Sequence, residues 1–429
     1  MFVKTDNPNS VFNFIDLFSG AGGLSEGFMQ AGFNPIAHVE MNENASKTLE
    51  TRSVYHALKK EKNLKPYYLY ESGKISREEL FSKVSPDVYE TVINKEMSAQ
   101  TIAEIFNKVD EIMNKDKVNH VDLIIGGPPC QAYSLVGRAQ TSHMKKPMAE
   151  DPRNELYKIY ASFLKKYKPK MFVFENVQGI TSARGGNIFL DIQDALHKVG
   201  YNLECHLQNA HNFGVLQNRK RMIIVGWKND SNFYYPQFRT VRTNAVVNDL
   251  LSDLPVVERG SSNNQYAASF NQINDYVRRY RIRTANDILT CNAARNNTER
   301  DVEIYRRTIE AWNNGHKRLH YDELPDSLKT HRNRTSFVDR FKVVEGDQPC
   351  CHTVLAHLSK DGHYFIHPDI NQCRSITVRE AARLQSFPDS YYFEGNRTSQ
   401  FVQIGNAVPP LMAKGIAEAI KQELEAGEE

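Results

Sequence analysis

Short apolar runs, each followed by a polar or helical stretch, set the rhythm of the first half of the chain. Phe12–Phe18, Ile36–Glu40, Val121–Ile125, Met171–Phe174 and Met222–Trp227 have the length and composition of buried strands. Glu155–Tyr167 and Phe189–Val199 carry helical spacing between them. Strand and helix alternating from residue 13 to 227 predict an α/β fold with a Rossmann-like, mostly parallel sheet. One connection is too long for that plan. About 80 residues separate Glu40 from Val121, where a βα connection usually takes ~2–6 residues plus its helix. Ile102, Ile105, Phe106, Val109, Ile112 and Met113 fall on one helical face. A helical insertion over about 51–118 is therefore expected, and not a separate domain.

The pattern changes at residue 228. Residues 1–227 hold 21 Lys and 7 Arg, whereas 228–348 hold 4 Lys and 15 Arg, with 16 Asp and Glu among them. Arginine's planar fork suits phosphates and guanine edges. Tyr276-Val-Arg-Arg-Tyr-Arg-Ile-Arg283 interleaves it with aromatics, which makes Arg278, Arg279, Arg281 and Arg283 candidates for nucleic-acid contact. A solvated charged face would give the same composition. From about residue 375 the α/β texture returns, with a capped helix in Ser375–Leu384 and Leu411, Met412, Ile416, Ile420 and Leu424 at helical spacing. Three segments result: 1–227, an inserted smaller domain over 228–374, and 375–429 rejoining the first.

Composition narrows the class without choosing a function. A chain of 429 residues with 40% hydrophobic and 24% charged positions suits a soluble two-domain protein, and a net charge of +3 says little about partners. No apolar run reaches the ~20 residues of a membrane span, and the start of the chain lacks a basic-then-apolar leader, so a cytoplasmic protein is expected. Six scattered cysteines without a C-x-x-C pair read as free thiols.

Two loops carry the candidate chemistry. Phe14–Phe18 runs into Ser19-Gly-Ala-Gly-Gly23 and then a helix, and Glu40 lies 20 residues past Gly20. A glycine turn lets backbone approach a ligand, and an acid ending the next strand can accept from both hydroxyls of a ribose. A tight turn needing small residues would account for the glycines alone. Ser25 stands where a dinucleotide fingerprint has its third glycine, so an adenosine-plus-amino-acid ligand fits better than a dinucleotide. In the second loop, Val121–Ile125 leads into Gly126-Gly-Pro-Pro-Cys-Gln-Ala-Tyr-Ser134. Stiff backbone at a strand's carboxyl end would present Cys130 as an exposed thiol, against the usual reading of a lone cysteine as buried and inert. Met171–Phe174 delivers Glu175 to the same rim, unless that acid is a helix cap or a ribose contact. In Gln217-Asn-Arg-Lys-Arg221, Arg219 and Arg221 alternate to one side, with a surface salt-bridge pair as the plain alternative.

These residues resemble the cytosine-C5 DNA methyltransferases of bacterial restriction-modification systems. The likeness spans nearly the whole chain in order: Phe18-Ser-Gly-Ala-Gly22, Glu40, Gly127-Pro-Pro-Cys-Gln131, Glu175-Asn-Val177, Gln217-Asn-Arg-Lys-Arg221, Arg379-Glu-Ala-Ala-Arg-Leu-Gln385 and Gly405-Asn-Ala-Val408. The Pro-Cys-Gln, Glu-Asn-Val and Gln-x-Arg-x-Arg set is highly specific in this order. The resemblance implies transfer of the methyl group of S-adenosylmethionine to C5 of a flipped-out cytosine in a specific double-stranded DNA sequence, leaving S-adenosylhomocysteine and needing no metal. Cys130 would be the nucleophile, Glu175 would bond N3 with a raised pKa, and Arg221, with Arg219 nearby, would hold the O2 side. The cofactor would be held by Phe18, Gly20, Ala21, Gly22, Gly23, Leu24, Glu40, Met41, Pro129, Leu156, Asn406 and Ala407. Gln131, Ser134 and Gln217 would face or support the DNA side, and 228–374 would be the target-recognition domain. A monomer on the nucleoid is expected, beside an unbound endonuclease sharing its site. The last helix would cover the edge of the first strand and bring Asn406 beside Phe18.

This sequence departs from the family after the third strand, where an acid usually accepts from the adenine amino group. Tyr68–Ile75 is the comparable stretch, with Lys74 at the acid's place; Glu71 substitutes, the contact is made otherwise, or the insertion shifts the register. Met41 stands where an aromatic is frequent. A transfer-RNA cytosine methyltransferase shares the motifs, although the long Arg-rich segment favours duplex DNA. A catalytically silent nucleic-acid binder and a nicotinamide oxidoreductase are the rivals of other classes.

Overall fold

The computed structural model describes residues 11–128, 155–181, 186–330, 334 and 338–427. Seven strands form one sheet: β1 Asn13–Leu17, β2 Asn34–Glu40, β3 Val92–Asn94, β4 Leu123–Gly126, β5 Met171–Asn176, β6 Tyr201–Asn209 and β7 Lys220–Lys228, in the order β3-β2-β1-β4-β5-β7-β6. β7 runs antiparallel to both β5 and β6, and the other pairs are parallel. The described helices of the first segment are α1 Gly23–Gln30, α2 Glu43–Lys60, α3 Lys65–Glu71, α4 Arg77–Phe81, α5 Asp87–Glu90, α6 Ile102–Lys115, α7 Leu156–Tyr167 and α8 Asn187–Lys198. Those of the rest are α9 Asp275–Arg279, α10 Glu299–Asn313, α11 Val378–Leu384, α12 Arg397–Asn406 and α13 Pro410–Ala426. None is long and apolar enough to cross a membrane.

Side chains alternate across the sheet as the pleat requires. Ile15, Leu17, Ile124, Phe172 and Phe174 point to one face, which is covered by Ile105 and Val109 of α6, Tyr160 and Phe163 of α7 and Ile192 of α8. Phe14, Leu123, Ile125, Val173 and Ile223 point to the other, against Leu24 and Phe28 of α1 and Met412, Ile416 and Ile420 of α13. Two expectations need correcting. Tyr68–Ile75 holds no third strand, since α3 runs through Glu71; β3 comes later and is too short, at three residues, to show a period. The last helix covers a face of the sheet and no edge, because β1 lies in the middle. The capped helix expected in Ser375–Leu384 is α11, whose N-cap is Thr377, its hydroxyl accepting from Glu380 N.

The Arg-rich region divides by packing. Ile304, Tyr305, Ile309, Tyr321, Leu324, Phe341 and Ile366 form a core of their own. Val247, Leu250, Tyr276 and Val277 instead share a core with Ile376, Leu384, Phe387 and Tyr391 of the C-terminal segment and with Ala21. The beginning of the inserted region is thus built onto the sheet domain.

Candidate active site

The carboxyl ends of β1, β2, β4 and β5 and the start of β7 meet on one rim, because Leu17 lies opposite Val39 and Gly126, Gly126 opposite Phe174, and Asn176 opposite Met222. At the β1–β2 side the turn Phe18–Gly22 takes left-handed backbone at Phe18, Gly20 and Gly22, with φ of 56°, 55° and 79°. Gly20 N donates to Glu40 Oε2 at 2.8 Å and Asn42 N to Glu40 Oε1 at 2.7 Å, so the acid shapes the turn while keeping lone pairs free. Burial pushes the Glu40 carboxyl up, against the pull of the Asn42 and Gly20 amides. A Cβ on Gly20 would meet nothing within 4 Å, which leaves open space above the turn. Gly22 has no such room: its Cβ would stand 2.7 Å from Leu49 Cδ2 and 2.8 Å from Tyr391 Oη. On Gly23 a Cβ would strike Val408 O at 2.2 Å, so the loop after α12 sits directly on the turn.

Ala21 and Leu24 are buried beneath the turn, whereas Met41 is 62% exposed beside Glu40. Leu156 is half-buried at the start of α7; Asn406 is exposed, with Ala407 buried behind it. An open glycine turn with an acid beside it and no cationic side chain hydrogen-bonded to that acid among the described residues fits an adenosine-bearing ligand. The expected acid after the third strand also has a counterpart once the register is corrected: Glu96 is exposed two residues past β3, which pairs with β2 through Asn94 and Glu40.

At the β5–β7 side, Arg221 Nε reaches Glu175 Oε1 at 2.7 Å, with only 12% and 13% of the two side chains exposed. A Cβ on Gly127 would lie 2.8 Å from Glu175 Oε2, so the loop leaving β4 passes against this carboxylate, which would have to shift to admit a side chain there. Asn176 Nδ2 donates to Pro128 O at 3.5 Å, tying the same loop to β5. Pro129, Cys130, Gln131 and Ser134 lie outside the described residues.

The structure separates two residues from this pair that the sequence placed with it. Arg219 has no exposed surface; its guanidinium donates to Val354 O at 2.7 Å, Gly405 O at 3.0 Å and Ala407 O at 2.8 Å. Its expected catalytic place is corrected to a structural one, since those donors are spent on the loop carrying Asn406. Gln217 is equally buried, donating to Leu384 O and Gln385 Oε1 and accepting from Val354 N, each at 3.0 Å, so it faces no DNA and instead supports that wall. Among the four arginines of 276–283, Arg278, Arg279 and Arg281 are exposed. Arg283 is not: it donates to Asp253 Oδ2 at 2.7 Å and Ala268 O at 2.9 Å and stacks 3.4 Å from the Tyr266 ring centroid, which removes it from the candidates for DNA contact.

Comparison with known proteins agrees with this arrangement. The family model for C-5 cytosine-specific DNA methylases matches residues 12–67 and 85–422. The type II methyltransferase M.Bpa9945I of Bacillus paralicheniformis is 42% identical over 95% of this chain and 98% of its own. Type II methyltransferase M.DdeI of Desulfomicrobium norvegicum is 31% identical over 95% of this chain and 88% of its own. In fold the chain is similar to the solved structure of the Entamoeba histolytica methyltransferase EhMeth, with a TM-score of 0.54 at 15% identity over 98% of this chain and 100% of that one. Because the family match runs through the glycine turn, the Glu175–Arg221 pair and the inserted region alike, the chain belongs to the C-5 cytosine-specific DNA methylases and is a DNA (cytosine-5)-methyltransferase of the bacterial restriction-modification type.

Proposed function

We propose that the enzyme methylates C5 of a cytosine flipped out of a specific duplex DNA sequence, with S-adenosylmethionine as donor and Cys130 as transient nucleophile. The observation that carries this reading is the Glu175–Arg221 pair, against which the loop leading to Cys130 is packed at Gly127. Addition of the Cys130 thiolate to C6 forms a carbon–sulfur bond and moves electron density onto C5. Glu175 bonds N3 and Arg221 the O2 side, so that charge does not accumulate on the ring. When bound, S-adenosylmethionine would supply an electrophilic methyl group to C5, its S–CH3 bond breaking to leave S-adenosylhomocysteine. Loss of the C5 proton to a base then restores the ring and expels Cys130. Glu40 would hold the ribose, Phe18 would pack on the adenine, the backbone of Gly20–Gly22 would bind the amino-acid end, and Pro129, Leu156 and Asn406 would contribute to the pocket.

Residues 1–227 and 375–429 make the catalytic domain in this reading, and 228–374 reads the DNA. The relatives' type II names support a partner endonuclease, which in this reading cuts the same site without binding this chain. The protein acts in the cytoplasm on the nucleoid. The test is a pair of measurements on duplex DNA carrying its site. Wild-type enzyme should form a stable covalent adduct when 5-fluorocytosine replaces the target base, and Cys130→Ser should lower methyl transfer by at least ~10³-fold with DNA binding kept. Undiminished transfer by the serine enzyme would overturn the mechanism.

A further inference from the structure

The family match omits residues 68–84, the end of α3 and all of α4. What surrounds that stretch points at the cofactor turn from behind. Tyr391 Oη donates to Ala21 O at 2.5 Å across 370 residues of sequence, and the same hydroxyl stands 2.8 Å from where a Cβ on Gly22 would lie. Burial pushes the Tyr391 phenol up, so it stays a donor.

The backbone under Tyr391 is fastened on two sides. Ser390 O accepts from Arg52 Nη1 at 2.8 Å and from Tyr67 Oη at 2.9 Å. Glu394 Oε1 accepts from Thr51 Oγ1 at 2.6 Å and Tyr70 Oη at 2.7 Å. From the other side Arg379 donates to Pro388 O at 3.2 Å and Tyr391 O at 3.1 Å. Arg52 closes the ring, because it also grips Glu26 of α1 through two bonds of 2.9 and 2.7 Å, and α1 opens out of the turn itself. Its guanidinium lies 4.6 Å from the Tyr391 ring centroid. The turn thus rests on a closed circuit running from Ala21 through Tyr391, Ser390, Arg52 and Glu26 back to α1.

We infer that Tyr391 is a positioning residue for cofactor binding, and that α2 and α3 serve to hold it against the Gly20–Gly22 turn. The turn contains three positive-φ residues in five, two of them glycines, which leave the backbone many alternative conformations to choose from. A donor fixed on Ala21 O orders it before the ligand arrives, so less ordering cost falls on binding. The inference rests on the S-adenosylmethionine reading above.

Calorimetric titration of the full-length enzyme with S-adenosylhomocysteine tests it. Tyr391→Phe removes only the hydroxyl and should weaken binding about three- to tenfold. KM for S-adenosylmethionine should rise equally, while kcat at saturation and KM for DNA stay within about twofold. Tyr201→Phe is the control, as it removes a comparable buried bond to Pro169 O, of 2.8 Å, at the opposite end of the sheet; its affinity should match wild type. Should Tyr391→Phe fold poorly, Tyr67→Phe acts one bond further back and should weaken binding in the same direction by a smaller factor. Wild-type affinity in both variants would overturn the inference. Failure of the wild-type enzyme to bind S-adenosylhomocysteine would instead remove the cofactor reading, and this inference with it.

Discussion

The two ends of the carboxyl rim solve different problems with different materials. On the β1–β2 side the ligand surface is backbone: left-handed φ angles, amides and one carboxylate, held from behind by Tyr391. On the β5–β7 side it is two charged side chains in contact, Glu175 and Arg221, with the end of the loop after β4 tied beside them through Pro128. A ligand of fixed shape can be met by a preformed backbone mould. A base that must be captured, protonated and released is better met by groups that can change partners, and Arg221 holding Glu175 keeps both from standing unpaired until a base enters.

Arg219 and Arg221 bring this contrast down to two residues of one strand end, and exchanging either for alanine sharpens it most. Arg219→Ala strips three buried carbonyls of their donor and empties the space behind Asn406; it should destabilise the fold by ~3 kcal/mol or more. Arg221→Ala should cost the fold about 1 kcal/mol yet lower kcat by ~10²-fold, since the lost group acts where charge develops. Denaturant unfolding and single-turnover kinetics on both proteins separate the two. A destabilised Arg221→Ala with normal turnover would erase the distinction between the ends of the rim.

That pair also shows where sequence stops being informative. Alternation put Arg219 and Arg221 on one side, but the segments that bury Arg219 come from residues 354 and 405–407. Nothing local marks one arginine as enclosed and the next as half open. Glu40, by contrast, was legible, because strand, glycine turn and acid are set by short-range geometry alone. The strands missed fail for opposite reasons: β3 is too brief to show a period, and β6 is an edge strand whose charged and polar residues, Glu204, His206 and Gln208 among them, mask its alternation. Tyr391 and Arg52 left no signal, since the bonds from Tyr391 to Ala21 and from Arg52 to Ser390 each span more than 300 residues of sequence.

A second contrast separates the sheet domain from the junction with the inserted region, where buried titrating groups accumulate. His367 Nδ1 accepts from Asp369 N at 3.1 Å, which leaves the proton on Nε2, 3.6 Å from Glu380. Burial brings the His367 pKa down to about 4, against the pull of Glu380 and with Arg374 adding to the fall. Burial opposes ionisation of Glu380 too, but Arg374, at 2.7 and 2.9 Å, together with His367 and the Thr377 amide, outweighs it and holds that carboxyl at about 2. Both groups bind fewer protons folded than unfolded, so both stabilise at neutral pH and lose their contribution on acidification. His367 loses its share between about 6.5 and 4, Glu380 between about 4.5 and 2. Unfolding free energy should therefore fall on the order of 2 kcal/mol between pH 7 and 4.5 through His367 alone. His367→Asn keeps an acceptor for Asp369 N without a titrating ring and should flatten that stretch of the profile. An equally steep profile in the variant would assign the loss to other groups.

The smallest expected effects distinguish arginines within the inserted region. Arg278, Arg279 and Arg281 are exposed, whereas Arg283 is locked between Asp253, Ala268 and the face of Tyr266. If exposed arginines contact phosphates, each alanine exchange removes about one released counterion, lowering the slope of log affinity against log salt by ~1 and affinity a few-fold at moderate salt. Arg283→Ala should leave that slope alone and lower thermal stability instead, because it abandons Asp253 beside the buried Arg383 network. Binding of duplex DNA across a salt series reads both. A slope that changes with Arg283 and not with its three neighbours would mean that the exposed surface of α9 turns away from the duplex, and that the region is basic for reasons of packing and not of recognition.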